Sequence, residues 1–263
     1  MLKSDQSMSG KRGLIMGVAN ERSIAWGIAQ VLAQSGAELA FTFQGEAFEK
    51  RLEPLAKGVN SNIILPCDVE KQDSINSVFS TIQQDWGSID FVVHSLAYSD
   101  KHELSGRYVD TTAKNFSRTL DISCFSFTAV AKAAYPLMLD NGGSMITLTY
   151  YGAERVLPNY NVMGVAKAAL EASVRYLATD LGPDKIRVNG LSAGPMRTLA
   201  GSAIGSARKI YNLSELNSPL RKSVTLDQIG NTALYLLSDA SSGVTGEIHH
   251  VDSGYNIIGM PYL

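Results

Sequence analysis

Three phenols and one ammonium stand close together in the second half of this chain: Tyr150, Tyr151, Tyr160 and Lys167. Tyr160 opens a long helical pattern, with Pro158 beside its first turn and Gly182-Pro183 as its stop. Seven residues, almost two helical turns, take Tyr160 to Lys167, so both project from one face about 10 Å apart along the axis. A cation below a phenol lowers its pKa and strengthens its hydrogen bond to a developing oxyanion. A lysine so placed also reaches back toward the helix start, where its ammonium can hold ribose hydroxyls. The plain alternative is a buried aromatic and a lysine whose stem covers apolar surface.

A second group of residues has the character of a nucleotide site. The turn Gly17-Val18-Ala19-Asn20-Glu21-Arg22-Ser23-Ile24 joins an apolar run to a helical pattern. Gly17 lets backbone approach a pyrophosphate, and the helix beginning near Ser23 offers N–H groups and a positive dipole end. Ser23 is equally a natural helix N-cap. The GxGxxG fingerprint is absent, because Ala19 and Arg22 occupy the next two glycine positions. The second apolar run ends at Gln44, and no Arg or Lys occurs from Glu38 to Phe48. A 2′-phosphate therefore has no counter-charge there, which favours NAD(H) over NADP(H). Asp68-Val69 can hold an adenine through a carboxylate and a backbone N–H, or Asp68 can cap the helix that follows.

Positioning these groups calls for a regular scaffold, and the hydrophobic pattern supplies one. Short apolar runs at Leu14–Met16, Leu39–Phe41, Ile63–Leu65, Phe91–Val93, Met145–Leu148, Val188–Leu191 and Ile248–Val251 alternate with segments of helical period. Continuously apolar strands separated by helices predict an α/β fold: one doubly wound, Rossmann-type domain over residues 1–263, its parallel sheet built of about seven strands. No linker, repeat or low-complexity tract interrupts it. The small-residue segment Met196–Asn217, after Gly194-Pro195, is too long for a simple connection and reads as a lid or as a surface helix.

Composition narrows the function classes. The chain has 263 residues, 45% hydrophobic, with 23 basic and 25 acidic side chains giving a net charge of −2, which speaks against nucleic-acid binding. Cys67 and Cys124 form no CxxC pair, so a reducing compartment fits. No uncharged stretch has the length of a membrane span, and the polar N-terminus has no signal-like apolar core, so a cytoplasmic location is expected. Four histidines without zinc-like spacing and the lack of GxSxG argue against metal and serine-hydrolase chemistry.

Five motifs occur in order: Gly17-x5-Ser23-Ile24-Ala25-x-Gly27, Cys67-Asp68-Val69, His94-Ser95-Leu96-Ala97, Tyr150-x9-Tyr160-x6-Lys167 and Ser192-Ala193-Gly194-Pro195-Met196-Arg197-Thr198. Together they closely resemble the NADH-dependent enoyl-acyl-carrier-protein reductases of bacterial type II fatty-acid synthesis, a divergent branch of the short-chain dehydrogenase/reductases. The Tyr-x6-Lys spacing is the most specific mark, since ordinary short-chain dehydrogenases use Tyr-x3-Lys and no tyrosine here has lysine four residues later. The resemblance implies that Gly17, Ser23, Ile24, Gln44, Asp68, Val69, Leu96, Lys167 and Met196, Arg197, Thr198, Leu199 and Ala200 bind NADH. It implies catalytic roles for Tyr150, Tyr160 and Lys167, with Tyr160 bonding the thioester carbonyl. Ser99, Tyr150, Tyr160, Ala203 and Ile204 would meet the substrate, Met196–Asn217 would close over it, and acyl carrier protein would be the partner of a homotetramer.

Three departures sit beside the resemblance. Ala97 stands where many relatives have glycine; Asp121-Ile122-Ser123 replaces the catalytic asparagine of ordinary short-chain dehydrogenases; Thr147 lies where their active-site serine is expected. The rival readings are another short-chain oxidoreductase acting on a carbonyl or alcohol, and a non-catalytic dinucleotide sensor.

Overall fold

The structure is a computed structural model that describes residues 6–199 and 207–260. Its strands are β1 (Arg12–Met16), β2 (Glu38–Phe43), β3 (Ile63–Pro66), β4 (Phe91–His94), β5 (Gly143–Thr149), β6 (Ile186–Ala193) and β7 (Ile248–Val251). Among the described residues these form one seven-stranded sheet in the order β3-β2-β1-β4-β5-β6-β7, and every neighbouring pair is parallel. The α-helices are α1 (Ile24–Gln34), α2 (Glu46–Gly58), α3 (Gln72–Trp86), α4 (Ala113–Leu120), α5 (Ser126–Ala134), α6 (Asn161–Leu181), α7 (Ala207–Asn217) and α8 (Leu226–Leu237). All seven expected strands are present, and the expected doubly wound class holds.

Strand side chains alternate between two apolar layers, because successive residues point to opposite sheet faces. Leu14 and Met16 of β1, Val92 of β4 and Met145 of β5 pack with α3, α5 and α6 through Phe79, Phe127 and Leu170. Ile15, Phe91, Val93 and Ile146 enter the other layer with Ile28 and Leu32 of α1 and Ile229 and Leu236 of α8. Both faces are covered, which is why the centres of these strands are runs of apolar residues rather than an apolar–polar alternation. Close approach of α1 to α8 needs Gly27, where a Cβ would come to 2.7 Å from the Leu226 Cβ.

The parallel arrangement brings the carboxyl ends of the strands to one rim. Chain order reverses between β1, which leads outward to β2 and β3, and β4, which leads the other way. The crevice between β1 and β4 is thus the switch point at which such sheets bind ligands.

The rim is anchored from below by His94, the fully buried last residue of β4. Its Nε2 lies 2.8 Å from Ser126 Oγ and its Nδ1 lies 3.0 Å from Thr147 Oγ1. Ser126 already donates to the Ile122 carbonyl at 2.6 Å, so it accepts from Nε2–H, and Nδ1 accepts from Thr147. Thr147 Oγ1 also lies 3.3 Å from the His94 carbonyl, so burial decides for the neutral ring: with the Lys167 charge second, it drives the His94 pKa down to about 3. Thr147, at the position expected for a serine of ordinary short-chain dehydrogenases, is spent on these contacts.

Stability should follow that titration. His94 is free to protonate near its ordinary 6.5 in the unfolded chain and only near 3 in the folded one. Its contribution is therefore full above 6.5 and is lost as pH falls from 6.5 toward 3. Between pH 7 and pH 5 the protein should lose about 2 kcal/mol more than a His94→Gln variant does, read from urea midpoints at the two pH values.

Candidate active site

A cleft of about 720 Å³ opens at the switch point, within the size range of cofactor pockets. Its nucleotide-like end begins where β1 runs into Gly17, held at φ +98°. A Cβ on Gly17 would run into the Ser95 carbonyl across the crevice, so this turn requires glycine for both conformation and space.

Ser23 occupies the N-cap position of α1, but its hydroxyl does not cap the helix. It turns outward to accept from Ala19 N at 3.0 Å and Asn20 N at 3.1 Å, tying the preceding loop instead. The first turn of α1 is left without a side-chain cap, the arrangement that suits an anion at a helix start. Gln44 donates to Asp68 Oδ1 at 3.1 Å, joining the ends of β2 and β3. Asp68 does not cap the next helix, since α3 begins at Gln72 after Lys71; it accepts from Glu70 N and pairs with the exposed Lys71 at 3.2 Å. That alternative role for Asp68 therefore falls away.

At the other end the tyrosines meet. Tyr160 is the residue just before α6, and Tyr150 follows β5 directly. Their rings pack edge to face with centroids 5.4 Å apart. Met163, Ala166 and Leu104 surround Tyr160 and leave it 7% exposed. Lys167 is 5% exposed, and its Nζ donates to the Leu148 carbonyl at 2.7 Å.

The expectation that the cation lowers the phenol pKa is corrected here. Burial pushes the Tyr160 phenol well above its ordinary value, with further increments from Tyr150 and Glu171, and burial does the same at Tyr150. The ammonium is committed to a strand carbonyl, and Lys167 is itself drawn down to about 8 by burial, against the raising effects of Cys124 and Glu171. Both phenols are hence neutral O–H donors at pH 7, suited to hydrogen-bonding an oxyanion rather than to acting as phenolates.

The third wall is the loop after β4. Ser123 Oγ accepts from Tyr98 N at 2.9 Å and donates to Tyr98 O at 3.1 Å, pinning the backbone of this residue on both sides of its Cα. It can do so because α4 passes into α5 through a π-helical turn, Asp121–Phe125, whose wide winding turns Ser123 inward. Ser99 lines the cleft, while its hydroxyl is held by Thr119 at 3.0 Å and Asn115 at 3.2 Å. On the rim Arg118 makes a two-pronged bridge to Glu70, both contacts 2.8 Å, and lies 4.5 Å from the Tyr98 ring centre.

Gly17, Ile24, Gln44, Asp68, Val69, Leu96, Lys167, Met196, Thr198 and Leu199 all line this cleft, as do Ser99, Tyr150 and Tyr160. Ser23 and the exposed Arg197 are not on its wall. Ala200, Ala203 and Ile204 lie outside the described residues. From α7, Ile210 and Tyr211 reach the cleft, and Tyr211 donates to the Met196 carbonyl at 2.8 Å. Sequence reasoning missed Tyr98, Arg118, Glu70 and Tyr211. Nothing in periodicity or spacing pairs residues 48 positions apart, the separation of Arg118 from Glu70. Among the described residues no His, Cys, Asp and Glu side chains gather into a metal site, and no helix is long and apolar enough to cross a membrane.

A doubly wound parallel sheet with this cleft at its switch point defines a Rossmann-type protein, with its pocket where such folds bind ligands. Comparison with known proteins narrows the class. The enoyl-(acyl carrier protein) reductase family model matches residues 17–256. The chain is 64% identical to enoyl-acyl-carrier-protein reductase (NADH) 2 of Rhizobium meliloti, over 97% of this chain and 95% of that protein. It is similar to the enoyl-acyl-carrier-protein reductase of Anaplasma phagocytophilum solved with NAD, at 55% identity and a TM-score of 0.94 over 98% of each chain. The Bacillus cereus enoyl-acyl carrier protein reductase, solved with NADP+ and indole naphthyridinone, matches at 48% identity and a TM-score of 0.95, over 97% of this chain and 100% of that one. The chain belongs to the enoyl-(acyl carrier protein) reductase family.

The crevice itself yields a prediction. Gly17→Ala must move the Ser95 carbonyl or abandon its backbone conformation. A loss of roughly 1–3 kcal/mol in unfolding free energy is expected, read from the urea midpoint.

Proposed function

We propose that this protein reduces the trans-2 C=C bond of an enoyl thioester carried on acyl carrier protein, the last reductive step of fatty-acid elongation, with NADH as the reductant. NADH, when bound, supplies the hydride that adds to the β-carbon. The observation that carries the reading is a buried phenol, Tyr160, packed edge to face on Tyr150, with both rings and Lys167 on the wall of a dinucleotide-sized cleft.

Hydride addition to the β-carbon sends an electron pair toward the thioester oxygen and makes an enolate. Tyr160 donates to that oxygen, and its bond strengthens as charge develops. Tyr150 flanks the same space as a second phenol, and Ser99 contributes to the wall near the carbonyl. Lys167 holds ribose hydroxyls of the cofactor. The uncapped first turn of α1 receives the pyrophosphate, with Gly17 and Ile24 beside it, while Ser23 shapes that loop. Gln44, Asp68, Val69 and Leu96 hold the adenosine half, and Met196 to Ala200 close over the cofactor. Gln44 and Asp68 offer no counter-charge to a 2′-phosphate, and Lys71 is already paired with Asp68, which supports NADH over NADPH.

Met196–Asn217 acts as the lid, with Ala203 and Ile204 among the residues that meet the substrate; the Tyr211–Met196 bond, which ties α7 to the cleft wall, supports this reading. The assembly is a homotetramer in the cytoplasm, a reading supported by exposed apolar side chains at Tyr176 and Phe125, 78% and 57% accessible in the single chain.

Absorbance at the reduced-nicotinamide band with crotonyl thioester tests the reaction. Turnover with NADH exceeding that with NADPH, and none on a matched ketone, supports the proposal; turnover on the ketone alone would sink it. Tyr160→Phe should lower kcat roughly a hundredfold, the loss of one oxyanion donor, with the Kd for NADH within about twofold of the parent. Hydrogen exchange across 196–217 should slow when cofactor and an acyl ligand are both present; protection that ligands leave unchanged would remove the lid.

A further inference from the structure

Behind the catalytic face of α6 lies a buried carboxyl to which the reaction above assigns no role. Glu171 is 8% exposed, stands one helical turn after Lys167 on the same face of α6, and is not on the cleft wall. The end of β5 engages both side chains. Leu148 offers its carbonyl to the Lys167 ammonium at 2.7 Å, and the next residue, Thr149, donates its hydroxyl to Glu171 Oε1 at 2.6 Å. A step of one residue along the strand therefore matches a step of four along the helix. Tyr150 leaves the strand directly after this double attachment.

A buried ammonium held only by a neutral carbonyl is costly, and a carboxylate nearby offsets that cost. The two charges are not in direct contact, so the carboxylate acts across one turn of helix and through the shared strand end. We propose that Glu171 is the counter-charge of Lys167: a positioning residue that keeps the buried cation charged and in place without touching substrate or cofactor. The inference rests on the proposed role of Lys167 as a ribose ligand.

The surrounding charges are few and can be named. Glu154, in the turn after β5, and His250 of β7 are paired at 2.7 Å and act on Glu171, as does Arg175 one turn further along α6. Cys124 from the π-helical turn and His94 from β4 share fields with Lys167. Burial raises the Glu171 pKa, while the Thr149 bond, His250 and Arg175 work the other way. As pH rises through about 8, Lys167 gives up its proton, and the cation that holds the ribose is lost.

Glu171→Gln keeps an acceptor for Thr149 and deletes only the charge, so Lys167 should deprotonate at lower pH. The test is the Kd for NADH, by calorimetry on the intact protein, at pH 6.5 and pH 9. The parent should bind more weakly at pH 9 than at pH 6.5. The Gln variant should match the parent within about twofold at pH 6.5 and bind about tenfold more weakly at pH 9, a shift of one pKa unit. Glu171→Asp, which keeps the charge, should follow the parent at both. Equal affinities of parent and Gln variant at pH 9 overturn the inference, and so does an equal loss at both pH values, the mark of mere structural damage. If the Gln variant yields no folded protein, the Asp variant decides: a tenfold loss confined to pH 9 despite its charge overturns the proposal. A parent whose affinity is flat with pH removes Lys167 from the ribose and the inference with it. Sloped NADH binding without turnover on crotonyl thioester would fail the proposed reaction alone and leave Glu171 as the counter-charge.

Discussion

The contact on which the rest of the site depends is the bond between the Lys167 ammonium and the carbonyl of Leu148. It sets the longest helix of the described residues against the end of β5, and so fixes where Tyr160, at the start of that helix, meets Tyr150, at the end of that strand. A flexible side chain serves for this because the ammonium is buried: with little water to compete, one carbonyl at 2.7 Å outweighs many looser alternatives. Burial also decides the protonation of the neighbours. In so dry a corner the phenols stay neutral, and the lysine is the group whose charge is least secure.

Departures from regular geometry gather on the same rim. Gly17 takes a positive φ beneath the Ser95 carbonyl, α4 widens into a π-helical turn, and Ser123 from that turn grips the Tyr98 backbone. His94 links these features from below, since Ser126, its acceptor, also closes the bond to Ile122 within the turn. A regular sheet could not bring so many polar groups to one edge without such local concessions, and the two apolar layers beneath supply the rigidity that sustains them.

The local chemistry is compatible with the proposed reaction. The proposed reaction needs a donor that is still protonated when charge arrives, and a phenol whose pKa burial raises meets that requirement. The position where ordinary short-chain dehydrogenases carry asparagine lies here in the π-helical turn, occupied by Asp121, Ile122 and Ser123, and Ser123 is used to hold a loop. A polar relay through that position has given way to a structural clamp.

Much of this was legible in the order of residue types. Apolar runs bounded by helical segments located all seven strands, because a sheet covered on both faces favours continuous apolar runs at strand centres. The spacing of Tyr160 and Lys167 placed both on one face of one helix, since helical geometry is local. The absence of basic residues after β2 already bore on the cofactor. What only the tertiary structure decided are the meetings of residues far apart in the chain and the dielectric in which they meet. Ser23 reads as a helix cap and proves to hold its preceding loop; Asp68 reads as a cap and proves to join Gln44 and Lys71. Glu70 and Arg118, His94 and Ser126, and Thr149 and Glu171 have no spacing that would pair them. The direction of the Tyr160 pKa was out of reach for the same reason: it is set by how much water the fold excludes, and that is a property of packing rather than of sequence neighbours.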